Sequence, residues 1–275
     1  MKESQTKRNR WLYVVIVLAI LALLSFSILP VLSSVTGRYQ SQTTTQETPA
    51  QVELATQAKG YELVLQREPE NQTALLGLLE SKLKLGDITG ALAPLEKLAD
   101  LNPNQPDYRI LLAQAQEQVG EDESAADNYR TVLASHPANM NAIVGMVNLL
   151  LKQDRPQAAI SLVEDTLSSE VRSNSEESDT GKITGLQLLL GQIYASQKRY
   201  PEAIAVYDQG IESNPQDFRP LLAKAMILVE QGKEEEAKPL FNKALSLAPP
   251  EYKDQIQQMA AKRKEIMEEL TNSEQ

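Results

Sequence analysis

The sequence predicts an all-α protein, a solenoid of stacked helical hairpins preceded by one apolar helix. Three observations predict it. Pro69, Pro103 and Pro137 stand 34 residues apart, and so do Pro215 and Pro249. Ala91, Ala125, Ala159, Ala203 and Ala237 each lie 12 residues before a proline of this phase or its equivalent, which is Val171 in the third period. Each period holds two apolar stretches of helical spacing, and Gly-Asp, Gly-Glu or Gly-Lys separates them in three of the five. A fixed period of this length marks a repeat architecture, in which one unit cannot bury its faces alone.

Composition narrows the function. The 275 residues carry 37 acidic and 27 basic side chains, a net charge of −10. That balance disfavours a nucleic-acid binder, which needs clustered Lys and Arg to neutralise phosphates. Cysteine is absent and His136 is the only histidine. These counts exclude thiol nucleophiles, disulfides and multi-His metal centres. No phosphate loop or dinucleotide fingerprint occurs. The reading is non-enzymatic, with no catalytic residue, cofactor or metal assigned.

The elements follow in chain order. Residues 1–10 are a basic flank with Lys2, Lys7, Arg8 and Arg10. Residues 11–35 hold an uncharged apolar run whose 22 residues from Trp11 to Leu32 span roughly 33 Å as a helix, enough for a bilayer core of about 30 Å. This predicts a transmembrane anchor. A cleaved signal peptide is the alternative, although no Ala-x-Ala site follows the run. Trp11 and Tyr13 sit at one edge, where aromatic rings prefer headgroups. Four cations precede the span and only Arg38 follows it closely, so the amino terminus is expected in the cytoplasm and the large domain across the membrane. Pro30 kinks the span or marks its exit. Residues 36–48 are Thr/Gln-rich and read as a flexible linker.

Residues 49–71 resemble the second half of a repeat and serve as an amino-terminal cap. Residues 72–251 make five units, 72–105, 106–139, 140–173, a fourth containing 186–215, and 218–251, with an acidic loop inserted at 172–182. Residues 252–275 are a carboxyl-terminal capping helix and tail, striped by Ile256, Met259, Ala260, Ile266 and Leu270. Within a unit, glycine permits the left-handed exit of the first helix. The alanines Ala91, Ala125, Ala159, Ala203 and Ala237 let helices of neighbouring pairs approach, and Gly191 does so within a pair. Proline closes the unit because it cannot continue a helix interior.

The segment 186–215, with Leu190, Gly191, Tyr194, Ala203, Tyr207 and Pro215, resembles the tetratricopeptide repeat. Residues 218–251 resemble it through Leu221, Gly232, Ala237, Phe241, Ala244 and Pro249. The resemblance implies a right-handed superhelix whose first helices line a concave, peptide-binding surface. By phase, Leu76, Ile110, Val144, Leu188 and Leu222 would form an aliphatic ladder there, and Glu80, Gln114, Asn148, Gln192 and Met226 a mainly amide one. Amides suit an extended backbone and aliphatic residues suit its side chains. Family members that clamp a carboxyl-terminal Glu-Glu-Val-Asp use Lys, Asn and Arg. The corresponding places here hold Leu76, Glu80, Leu111, Asn141 and Gly145, which do not match, and Arg219 is isolated.

The remaining candidates read as structural. His136 precedes Pro137 in an inter-repeat turn, and Asn71-Gln72-Thr73 reads as helix entry rather than a glycan acceptor. Glu176, Glu177 and Asp179 lack calcium-loop spacing. Lys262-Arg263-Lys264 reads as a solvated face, with acidic-lipid or acidic-partner contact as the alternative.

The function expected is a membrane-tethered scaffold binding a protein partner and assisting assembly or maintenance of a membrane complex. Stretches 61–87 and 213–252 resemble tetratricopeptide proteins of cyanobacteria and chloroplasts of the Slow Green type, which implies thylakoid or photosynthetic membrane biogenesis. Such factors often work on the cytoplasmic or stromal side, against the charge bias. The alternative is a regulatory subunit of a membrane-bound enzyme or of an envelope, secretion or haem-maturation system.

Overall fold

The computed structural model describes residues 48–172 and 180–260. The basic flank, the apolar span 11–35, most of the linker, Glu176, Glu177, Asp179, Lys262, Arg263, Lys264, Ile266 and Leu270 lie outside the described residues. Among the described residues there is no strand, and no helix is long and apolar enough to cross a membrane.

The helices are α1 (Pro49–Arg67), α2 (Gln72–Lys84), α3 (Ile88–Leu101), α4 (Pro106–Val119), α5 (Asp122–Ser135), α6 (Met140–Lys152), α7 (Pro156–Arg172), α8 (Thr180–Ser196), α9 (Tyr200–Ser213), α10 (Phe218–Glu230) and α11 (Glu234–Leu247). A further helical stretch covers 250–260. Each helix packs on the next in sequence, making five hairpins from α2/α3 to α10/α11. The first helices α4, α6, α8 and α10 also touch in succession, unlike the second helices. The row of first helices is therefore the inner, shorter side of a curved stack.

Two local devices repeat along the chain. Every first helix ends on a left-handed residue: Gly86, Gly120, Asp154, Lys198 and Gly232, with φ of 73°, 85°, 55°, 58° and 75°. In each case the following N–H reaches back to the last turn, as Arg199 does to the Tyr194 carbonyl at 2.9 Å. This is the Schellman closure. Asp154 and Lys198 adopt it without glycine, so the units that lack the glycine signal keep the same exit. The second device is the turn between units. Asn71, Gln105, Asn139 and Asp217 each donate an N–H to the carbonyl three residues back. Pro69, Pro103, Pro137 and Pro215 take the second place in those turns, where a fixed φ favours the bend. The Asn71 and Asn139 side chains then accept from Ala74 and Ala142 N–H at 3.0 Å, so Asn71 acts as a helix cap.

Three boundaries differ from expectation. Thr48 is the N-cap of α1 rather than linker, in a reciprocal bond pattern with Gln51. In the segment 172–182 the chain is helical at Arg172 and at Thr180–Lys182. α7 and α8, each of 17 residues, are longer than the 13 or 14 of the other hairpin helices, so the insertion adds helical turns. Lys182 pairs with Glu170 across the two extensions at 3.6 Å. Val171, the expected equivalent of the phase proline, lies inside α7 with its side chain exposed.

The core runs through the stack. The phase alanines are 0% exposed at 91, 125, 159 and 203 and 1% at 237. One apolar cluster extends from Ile110 to Ile227, flanked by smaller clusters around Leu95 and Phe241. Glycine tightens two kinds of contact. A Cβ at Gly191 would fall on the ring of Tyr207 in the same hairpin, and a Cβ at Gly145 on the ring of Tyr129 in the preceding one.

Candidate functional site

The inner face presents what the first helices turn away from the core. Of the aliphatic ladder, Leu76 and Val144 are 43% and 36% exposed, and Leu188 and Leu222 are half-buried against the core clusters. Ile110 departs from expectation. It is buried in the main core cluster, and the exposed apolar residue of α4 is its neighbour Leu111, at 47%. Helix phase explains the exchange: Ala113 and Ile110 are both core positions of α4, and Leu111, one residue on, turns about 100° away. Leu83, at 47%, adds a further exposed aliphatic on α2.

Of the amide ladder, Gln114, Asn148 and Gln192 are exposed on α4, α6 and α8. Glu80 is exposed and pairs with Lys84 at 2.6 Å, and this partner lowers its pKa through a hydrogen bond and through charge. Met226 is half-buried against the last cluster. The structure thus brings the exposed apolar side chains together with exposed amides chiefly on α4 and α6. The packing residues Ala91, Ala125, Ala159, Gly191, Ala203 and Ala237 are all buried away from this face.

A cleft of about 240 Å³ opens between α4 and α6, lined by Gln114, Glu117, Tyr129, Asn141, Val144 and Asn148 among others. Its geometry is built from the glycine contact. Gly145 lets the Tyr129 ring lie against α6, and the Tyr129 hydroxyl donates to Glu117 Oε1 at 2.6 Å. Burial, then the hydrogen bond and charge of Glu117, push the Tyr129 hydroxyl well above its ordinary pKa, so it stays a neutral donor. Sequence reasoning missed Glu117. Its phase place is filled by Leu83, Leu151, Ala195 and Val229 in the other units, and that break in an apolar column is a legible signal.

The other candidates take structural places. His136 is the C-cap of α5. Arg219 is bound to Asp217 at 2.6 Å, with the Asp217 carboxylate also accepting from the Arg219 backbone, so it is occupied within its own turn.

A tetratricopeptide repeat family model matches residues 52–248. The chain belongs to the tetratricopeptide repeat family. Two curated relatives are similar to it. Cellulose synthase operon protein C of Pseudomonas fluorescens (strain SBW25) is 30% identical over 150 residues, 54% of this chain and 12% of that protein. Protein SLOW GREEN 1, chloroplastic, of Arabidopsis thaliana is 27% identical over 190 residues, 69% of this chain and 58% of that protein. The chain thus spans less than two thirds of either relative. Among solved structures, a crystal structure of MamA aligns with a TM-score of 0.46 and 21% identity, covering 68% of this chain and 96% of that one. YrrB, described as a tetratricopeptide repeat protein with an unusual peptide-binding site, aligns with a TM-score of 0.41 and 15% identity, covering 70% and 94%.

Proposed function

We propose that this tetratricopeptide repeat protein is a non-enzymatic adaptor, tethered to a membrane by residues 11–35, that binds a segment of a partner protein along its first-helix face. The observation that carries the reading is the α4–α6 cleft, where Val144 meets Gln114 and Asn148, with Leu111 exposed elsewhere on α4. Exposed aliphatic side chains in a row cost solvation unless something covers them, and amides beside them can pair with a peptide backbone. The uncharged run of residues 11–35 supports the tether, and the charge bias around it supports an extracytoplasmic repeat domain. Tethering raises the local concentration of the groove at the membrane, so a modest affinity suffices.

The finer role is assistance in assembling or maintaining a membrane complex. Similarity to SLOW GREEN 1, chloroplastic, over 69% of this chain supports a chloroplast-type setting; the membrane proposed there is the thylakoid, with the domain facing the lumen or, against the charge bias, the stroma. Similarity to cellulose synthase operon protein C supports a second reading, a regulatory subunit of an envelope synthase in a plasma membrane.

The test is affinity purification of the full chain from solubilised membranes, with the double variant Leu111→Asp, Val144→Asp as control. Recovery of a protein partner that the variant loses is expected; an identical set of partners for both would refute the groove. Photosystem or pigment-enzyme subunits favour the first setting and envelope synthase subunits the second. Carbonate washing of membranes should leave the chain in the pellet, and its release would refute the anchor.

A further inference from the structure

The inner face is mostly uncharged, and the charges it carries are largely spoken for. Glu80 is held by Lys84, and Arg219 by Asp217. Lys152, at the end of α6, is held by Asp122. Glu117 differs. It lines the α4–α6 cleft, its partner among the described residues is a neutral hydroxyl, and that hydroxyl belongs to a fully buried ring. A carboxylate bonded to a neutral donor keeps its full negative charge, and the rigid Tyr129 ring fixes where that charge sits. Around it stand Gln114, Asn141 and Asn148, which are neutral, and Val144, which is apolar. A single fixed anion in an otherwise amide and apolar cleft is complementary to a single cation.

We propose that the α4–α6 cleft receives one basic side chain, lysine or arginine, from an otherwise uncharged segment of the partner protein, with Glu117 as its counter-charge. This rests on the reading of the first-helix face as a docking surface and names the chemistry it selects. The aliphatic stem of the basic residue lies along Val144, and the charged head reaches Glu117 between Gln114 and Asn148. The flanking residues of the segment cover Leu111 and present their backbone to the amides. An acidic segment is excluded from the same cleft by like-charge repulsion.

The experiment uses an array of short Leu/Val/Ser/Asn peptides, each made with Lys, norleucine or Glu at its centre, probed with the full chain in detergent. The best sequence is then measured in solution by fluorescence anisotropy. The Lys peptide should bind about tenfold tighter than its norleucine twin, with the difference shrinking as salt rises. Glu117→Gln, which keeps an acceptor for Tyr129, should bring the Lys-to-norleucine affinity ratio to about one, with a cooperative melting curve showing that the variant is folded. Asp107→Asn, which alters another α4 carboxylate, should leave the preference intact. Equal binding of the Lys and norleucine peptides, or a Lys preference that survives in Glu117→Gln, would overturn the assignment while the docking surface stands. Binding of no peptide in any series would overturn both.

Discussion

At the scale of single residues, close approach decides most. Gly191 and Gly145 carry no Cβ because a tyrosine ring occupies the space where one would be. Gly191→Ala should therefore destabilise the protein by about 1–3 kcal/mol, the usual range for overpacking, read from denaturant unfolding. Gly60→Ala is the matched control. Its Cβ would meet nothing within 4 Å, so helix propensity alone should stabilise by about 0.5–1 kcal/mol. Tyr207, the ring against Gly191, also sets a pH dependence. Burial pushes its hydroxyl up to about 12, against about 10 for the unfolded chain. A raised pKa in the folded state means that the contribution of the neutral phenol is fully present below about pH 10 and is lost as pH rises towards about 12. Unfolding followed across that window should show stability falling less steeply in Tyr207→Phe than in the parent; parallel curves would refute the assignment.

At the scale of elements, the turns obey backbone rules that side chains only partly reveal. Gly86, Gly120 and Gly232 announce three left-handed exits, but Asp154 and Lys198 make the same exit with a Cβ. That conformation costs a residue such as lysine about 1–2 kcal/mol. Lys198→Gly should recover part of it, raising stability by about 0.5–1 kcal/mol in a melting experiment, and no gain would mean the surrounding hairpin has already relaxed the strain. Helix entry is tested at Asp87, whose side chain accepts from Gly90 N–H at 2.8 Å and also holds Lys82. Asp87→Ala removes an N-cap and should cost about 1 kcal/mol. The Pro phase, the Ala phase and three of five exits were readable because each depends on local backbone geometry. The lengthening of α7 and α8 was not, because polar residues such as Ser169 and Thr180 suit a helix end as well as a loop, and packing of the neighbouring turns tips the choice.

At the scale of the whole stack of hairpins, contacts run between neighbours and the core is one long cluster from Ile110 to Ile227 with a smaller cluster on either side. Stability in such a stack is close to a sum of unit and interface terms, so it is uneven along the chain. The large cluster spans α4 to α10, whereas α1 contributes one buried residue, Ala58. Amide exchange should therefore be slowest in α5–α9 and fastest in α1, and uniform protection across all helices would contradict a solenoid with local cooperativity.

The sequence by itself determined that helical hairpins repeat every 34 residues, where proline or glycine turns them, and which small residues lie between them, since period, proline and glycine act through local backbone geometry and short-range sterics. Only the tertiary structure decided which side chains of a first helix face outward. Ile110 and Leu111 are both apolar and adjacent, and a small rotation of α4 settles which one is buried. The place of Glu117 was decided in the same way. Its spacing marks it as unusual, but the hydroxyl that holds it arrives from α5 through the gap left by Gly145 on α6, a meeting of three helices that no single stretch of chain encodes.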